Sequence, residues 1–214
     1  MGPPILTGPN GVIPADDIHS REESMETKAV LILFVLGLAS VSPAKTLAVL
    51  PGSSAAFVVH ARRMFTHEVI TGIDTAVTGT AEAPDKTGGP VTAHVAIDAA
   101  GFKTGNDLRD EHVREALKAA TAPSITFDLS ALGGFDPAAT QPQSLEANGR
   151  FSVGGKSVDL SVPVTITAQA GGYRVRGEAM TGFKALDVTP PGIPLVVGVD
   201  DPIAVKIDLL LGAK

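Results

Sequence analysis

GFKTGNDLRDEHVREALKAATAPSITFDL, residues 101–129, sets one charged helix between two strands in a chain otherwise patterned as β. On its N-terminal side Val91, Ala93, Val95 and Ile97 alternate with small or polar residues. At its C-terminal end Ile125, Phe127 and Leu129 do the same, the period of strands with one buried face. Between them the period lengthens. Leu108, His112 or Val113, Ala116, Leu117 and Ala120 recur every three to four residues; Asn106 or Asp107 is available to cap the first turn, and Pro123 blocks continuation.

Working outward, strand patterns recur over Ala55–Ala61, Glu68–Glu82, Val91–Asp98, Ser124–Ala131, Leu145–Val153, Lys156–Gln169, Tyr173–Met180 and Ile203–Leu211. Gly154-Gly155 and Gly171-Gly172 join two successive pairs by tight turns, so the pairing is antiparallel. Leu145, Ala147, Phe151 and Val153, then Val158, Leu160, Val162, Val164, Ile166 and Ala168, form a dry face. Glu146, Asn148, Arg150, Ser152, Asp159, Ser161, Thr165 and Thr167 form a wet one. Eight such strands predict a closed or nearly closed antiparallel barrel with one inserted helix, although a packed sandwich produces the same alternation.

The segments TGNDLRDEHVREAL with TAPSITFDL, LEANGRFSVGGKSVDLSVPVTI, and the closing VDDPIAVKIDLLL, in this order and spacing, resemble the YceI-like family of lipocalin-like, polyisoprenoid-binding proteins. The likeness runs from about Leu47 onward. Arg109, Asp110, His112, Pro123, Ile125 and Phe127 occupy the positions of the family's RDxH helix and Pro-x-Ile-x-Phe strand. The chain departs from the pattern at Leu186-Asp187-Val188, where an aromatic-Gly-hydrophobic element is common, and at Ile73-Asp74 after Gly72, where an aromatic is common. The resemblance implies an eight-stranded lipocalin-like barrel over residues 45–214 with an apolar cavity.

The first 44 residues read differently. Met25-Glu-Thr-Lys28, the 11-residue apolar run Ala29–Ala39 and Ser42-Pro43-Ala44 have the layout of a secretory signal peptide over residues 25–44, which makes Lys45 the expected mature start. The run is too short for a bilayer core of roughly 30 Å, so no stable membrane span is expected after cleavage. Residues 1–24 are rich in Gly, Pro and Asp without period, and read as a disordered leader or as sequence upstream of a true start at Met25.

The formal net charge is −6; residues 1–44 carry two basic and five acidic side chains, a share of −3, which leaves −3 for the remainder. No basic run attracts nucleic acid. With no cysteine, an exported fold is held by burial alone. No metal, cofactor or catalytic residue is expected: His60 and His67 are seven apart, His94 stands alone, and no phosphate loop or nucleophile elbow occurs. Arg109 and Asp110 are read as fixing the helix against a strand, and Arg62-Arg63 beside Met64-Phe65 as solvated or as a phosphate contact at a cavity mouth.

The resemblance implies a periplasmic or secreted binding protein, not an enzyme, that carries an isoprenoid lipid of polyprenyl or quinone type; a homodimer is compatible with it. By alternation, the lining candidates are Phe57, Val59, Val95, Ile97, Phe127, Phe151, Val162, Val164 and Tyr173. The alternative is a β-rich stress-related or interaction module with a solid core and no ligand.

Overall fold

The structure, a computed structural model, describes residues 44–190 and 196–213. The expected leader (1–24) and signal (25–44) lie outside the described residues apart from Ala44. The described elements are β1 (Ala44–Val49), β2 (Ser54–Arg63), β3 (His67–Asp74), β4 (Val77–Pro84), β5 (Thr92–Asp98), α1 (Asp107–Ala116), β6 (Ser124–Leu132), β7 (Gln143–Val153), β8 (Lys156–Gln169), β9 (Gly172–Gly182), β10 (Val196–Val199) and β11 (Pro202–Gly212).

The antiparallel ladders run β1–β4–β5–β6–β7–β8–β9–β11 and return to β1 through Ala48↔Gly212 and Val49↔Leu211, which closes an eight-stranded barrel. β2 continues β1 along β11 and pairs with β3, which continues β4; β10 extends β11 beside β2. Consecutive connections alternate between the two ends. The β2–β3 tip, α1, the β7–β8 turn and the chain after β9 share one end, and the β4–β5, β6–β7 and β8–β9 connections share the other.

Each expected strand is present, but Glu68–Glu82 is not continuous, and β1 and β10 are additional. The cause of the first difference is Asp74, buried at 3% exposure, whose Oδ1 accepts from Ala76 N at 2.8 Å and turns the chain between β3 and β4. Its carboxylate lies over Gly101, where any Cβ would overlap it. β1 is separated from β2 by a bend at Pro51-Gly52. There Ser53, 1% exposed, donates to Leu50 O at 2.8 Å and accepts from Leu210 N at 2.9 Å, so one hydroxyl carries the ladder across the gap.

In α1 the Asn106 side chain accepts from Arg109 N at 2.9 Å, so the cap is Asn106 and not the other candidate, Asp107. The helix stops at Ala116, well before Pro123, so Ala120 lies outside it. Lys118 takes φ 54°, with Ala119 N bonded to Arg114 O and Lys118 N to Glu115 O, which is a Schellman motif without its usual glycine. A left-handed lysine carries a steric cost that glycine avoids. Lys118→Gly is therefore expected to stabilise the fold by about 0.5–1 kcal/mol in urea unfolding, whereas Lys118→Ala brings no such gain.

The expected wet face lies outward: Glu146, Asn148, Arg150, Asp159, Ser161 and Thr165 are exposed, with Ser152 and Thr167 half-buried. Ala168, assigned to the dry face, is exposed near the open end of β8. The remaining dry set points inward into two apolar clusters stacked along the barrel. One sits under the helix around Val59, Ile97, Phe102 and Phe151; the other lies toward the far end around Leu47, Phe135, Ala147 and Val164.

Candidate functional site

Each cluster surrounds a void. The upper cavity, of about 130 Å³, lies beneath α1 and is bounded by Phe57, Val59, Phe151, Val113, Leu117 and Leu186 among others. Its wall is apolar except at Arg109. The lower cavity, of about 90 Å³, is bounded by Val95, Phe127, Phe135, Ala147, Val164 and Tyr173 among others. Phe127 and Phe151 are direct cross-strand partners, flanked in register by Val95 and Val158. Phe127 faces the lower void and Phe151 the upper, and Phe127, Leu160 and Val175 pack against both clusters. This row forms a waist between the cavities.

Of the lining candidates, Phe57, Val59 and Phe151 border the upper cavity and Val95, Phe127, Val164 and Tyr173 the lower. Ile97 and Val162 are buried in the surrounding wall and border neither. Alternation finds inward strand positions but is silent on what plugs the ends. Phe102, Val113 and Leu117 reach the upper cavity from the β5–α1–β6 connection, and Phe183, Leu186 and Val188 from the chain after β9.

The turn at Phe183–Val188 fits its task because it ends as α1 does. Val188 N bonds Phe183 O at 2.9 Å, Asp187 N bonds Lys184 O at 3.3 Å, and Asp187 takes φ 52°. Leu186-Asp187-Val188, the stretch that departs from the family pattern, is thus a second Schellman cap whose apolar members face the void. Lys118 and Asp187 are the two non-glycine residues of positive φ among the described residues, and they pair at 3.5 Å between the helix end and this turn.

A polar chain fixes the helix over the mouth. Arg109 donates through Nη1 to Glu68 on β3 at 3.0 Å, through Nε to Thr104 Oγ1 at 3.0 Å and through Nη2 to Thr104 O at 3.1 Å. Glu68 also pairs with Arg63 at 2.6 Å. The Arg109 hydrogen bond, aided by Arg63, holds the Glu68 carboxyl below its ordinary range against the opposing effect of burial. Asp110, 2% exposed, accepts from Thr104 N at 2.8 Å and Thr104 Oγ1 at 2.6 Å, with Lys103 at 3.6 Å. Burial opposes its ionisation most strongly, yet the Thr104 bonds and Lys103 prevail and keep its pKa low. Arg109 therefore fixes the helix against a strand, as expected of the pair, whereas Asp110 bonds the loop residue Thr104 and no strand.

At the far end Phe135 and Tyr173 close the lower cavity edge to face, with centroids 5.4 Å apart. Burial, with a smaller contribution from Asp136, pushes the Tyr173 hydroxyl above its ordinary pKa, so it is a neutral donor at physiological pH.

His112 is half-buried, and its Nδ1 is shut from solvent without a hydrogen-bond partner among the described residues. His60, His67 and His94 are exposed, His94 pairing with Asp128 on the outer wall at 2.6 Å. Among the described residues no group of three His, Cys, Asp or Glu side chains gathers as a metal site, and no helix is long and apolar enough to cross a membrane.

A family profile described as a YceI-like domain matches residues 48–211. Among solved structures, Burkholderia cenocepacia BcnA superposes with a TM-score of 0.60 at 19% identity, over 75% of this chain and 96% of that one. A polyisoprenoid-binding domain from Saccharophagus degradans, implicated in plant cell wall breakdown, gives 0.64 at 15% identity, over 78% and 98%. At these identities the likeness is one of fold. No curated protein matches.

Proposed function

This chain belongs to the YceI-like family, and from that membership and its stacked apolar cavities we propose that it binds and carries an isoprenoid lipid, of polyprenyl or quinone type, in the barrel interior. The observation that carries the reading is the lining. Two voids follow one another along the barrel axis with apolar walls, and the charged group at their border, Arg109, sits at the helix end. An apolar void of about 150 Å³ stays dry and admits a benzene-sized group. The upper cavity is of that order, enough for one branched five-carbon unit. A longer tail enters the lower cavity by displacing the Phe127–Phe151 waist, and each methylene it buries contributes roughly 0.8 kcal/mol. The headgroup then lies beside α1, where Arg109 presents donors to a phosphate or carbonyl oxygen. The polyisoprenoid-binding domain that shares this fold supports the same ligand class. The secretory pattern of residues 25–44 supports action in the periplasm or outside the cell.

The specific observation favouring a ligand-free module is size, since each void is smaller than the roughly 300 Å³ at which small-molecule sites begin. Native mass spectrometry with organic extraction, on protein exported from a lipid-producing host, decides between the two. A near-stoichiometric isoprenoid is the expected result. An apo mass that persists after addition of prenyl lipid would sink the carrier reading and favour the solid core.

A further inference from the structure

Large apolar side chains open to solvent are concentrated at the helix end. Phe65 is 90% and Met64 63% exposed at the β2–β3 tip, and Leu108 is 61% exposed in the first turn of α1. Tight turns favour Gly, Asn and Asp, yet here Met64 and Phe65 occupy the two central positions of a turn closed by Arg63 N to Thr66 O at 2.8 Å. An exposed apolar cluster of this kind marks an interaction surface. The turn is also cationic: from Arg62 to His67 it contains two arginines, a histidine and no acid. It is joined to the cavity mouth, because Arg63 and Arg109 share Glu68, and Arg109 borders the upper void.

We infer that the β2–β3 tip is a membrane-docking element that seats the mouth of the upper cavity on a bilayer containing anionic phospholipid. The inference rests on the carrier reading, since a carrier must meet the membrane that holds its lipid. Phe65 and Met64 enter the headgroup–acyl boundary while Arg62 and Arg63 remain at phosphate level, the arrangement of amphipathic elements that lie on membranes. Both arginines are engaged in the free protein, Arg62 with Asp200 at 2.9 Å and Arg63 with Glu68. The Arg62–Asp200 pair is open to solvent on both sides and therefore weak, so a phosphate exchanges into it readily; Arg63, whose half-buried partner Glu68 is shared with Arg109, keeps about half of its own side chain exposed. Residues 45–214 carry a net charge of −3, so an anionic surface attracts the cationic tip and repels the rest, which orients the mouth toward the bilayer.

The chain contains no tryptophan, so a single introduced one reports its own environment. F65W and A170W, the latter at an exposed residue of the opposite-end β8–β9 turn, are to be compared in the full chain. The probe is a vesicle of phosphatidylcholine and phosphatidylglycerol with brominated acyl chains. F65W emission is expected to shift to shorter wavelength and to be quenched several-fold more than A170W, and to lose most of that quenching when phosphatidylglycerol is left out. Equal quenching of the two variants, or none in F65W, overturns the proposal. Uptake of prenyl lipid from detergent by the same proteins is read separately; its absence in protein whose F65W is quenched would fell the carrier reading and leave the docking surface standing.

Discussion

Val164→Glu is expected to abolish retention of isoprenoid lipid. Val164 is 4% exposed on β8, sits between Leu145 and Gly177 in register, and borders the lower cavity. A carboxylate there has no cationic partner among the residues bordering that void, so it stays protonated with a raised pKa or draws water inward. Either state sets a polar group against the tail where each methylene would contribute roughly 0.8 kcal/mol. Because a buried acid also endangers folding, Ala147→Phe is its companion. Ala147 is 7% exposed beside the same void, and the larger ring fills it without charge. Extraction and mass spectrometry should find no lipid with the glutamate, and with the phenylalanine a shift toward shorter tails. Wild-type lipid content in folded V164E together with an unchanged tail distribution in A147F would overturn the assignment of the interior as the binding site.

The outcome of such substitutions depends on features that the sequence exposes unevenly. Strands β7 and β8 were legible because strict alternation meets a Gly-Gly turn, and their register follows from that turn. The helix was legible at its start, where Asn106 is a good cap, and not at its end, because Lys118 adopts a conformation for which glycine would have been the signal. The break between β3 and β4 depends on a single aspartate bonding two residues onward, which a mostly apolar strand pattern conceals. β1 escaped because its residues adjoin the expected signal segment and show little alternation. Inward-facing wall residues could be named from period alone. The waist could not, since Phe127 and Phe151 meet only once the β6–β7 pairing is fixed, 24 residues apart in sequence. Nor could the plugs at Leu117 and Leu186, which reach the void from a helix end and a capped turn.

The mouth is also where the largest loss of stability is expected, on replacing Asp110 by alanine. This carboxylate is 2% exposed and takes both the amide and the hydroxyl of Thr104, which in turn anchors Arg109. Its removal leaves the half-buried Thr104 N–H without its acceptor and the Thr104 hydroxyl with only the longer contact to Asn106 O at 3.5 Å, and so loosens one of the three anchors of the arginine that joins α1 to β3, at a cost of about 2–4 kcal/mol. Asp107→Ala, at an exposed first-turn position of the same helix, should cost well under 1 kcal/mol. The pH dependence separates an ionic role from simple packing. Because the folded-state pKa of Asp110 lies below its ordinary 3.8, the stability it contributes is fully present above the unfolded value and is lost as pH falls through the folded one. Glu68, lowered from 4.5 chiefly by the Arg109 hydrogen bond, acts in the same direction. Urea midpoints of wild type and D110A should therefore converge on acidification below about pH 4 and diverge to a constant gap above about pH 5. A gap that persists unchanged into acid would mean that Asp110 serves by shape alone. If the gap closes as expected, the carboxylate charge of Asp110 is what holds α1 over the upper cavity.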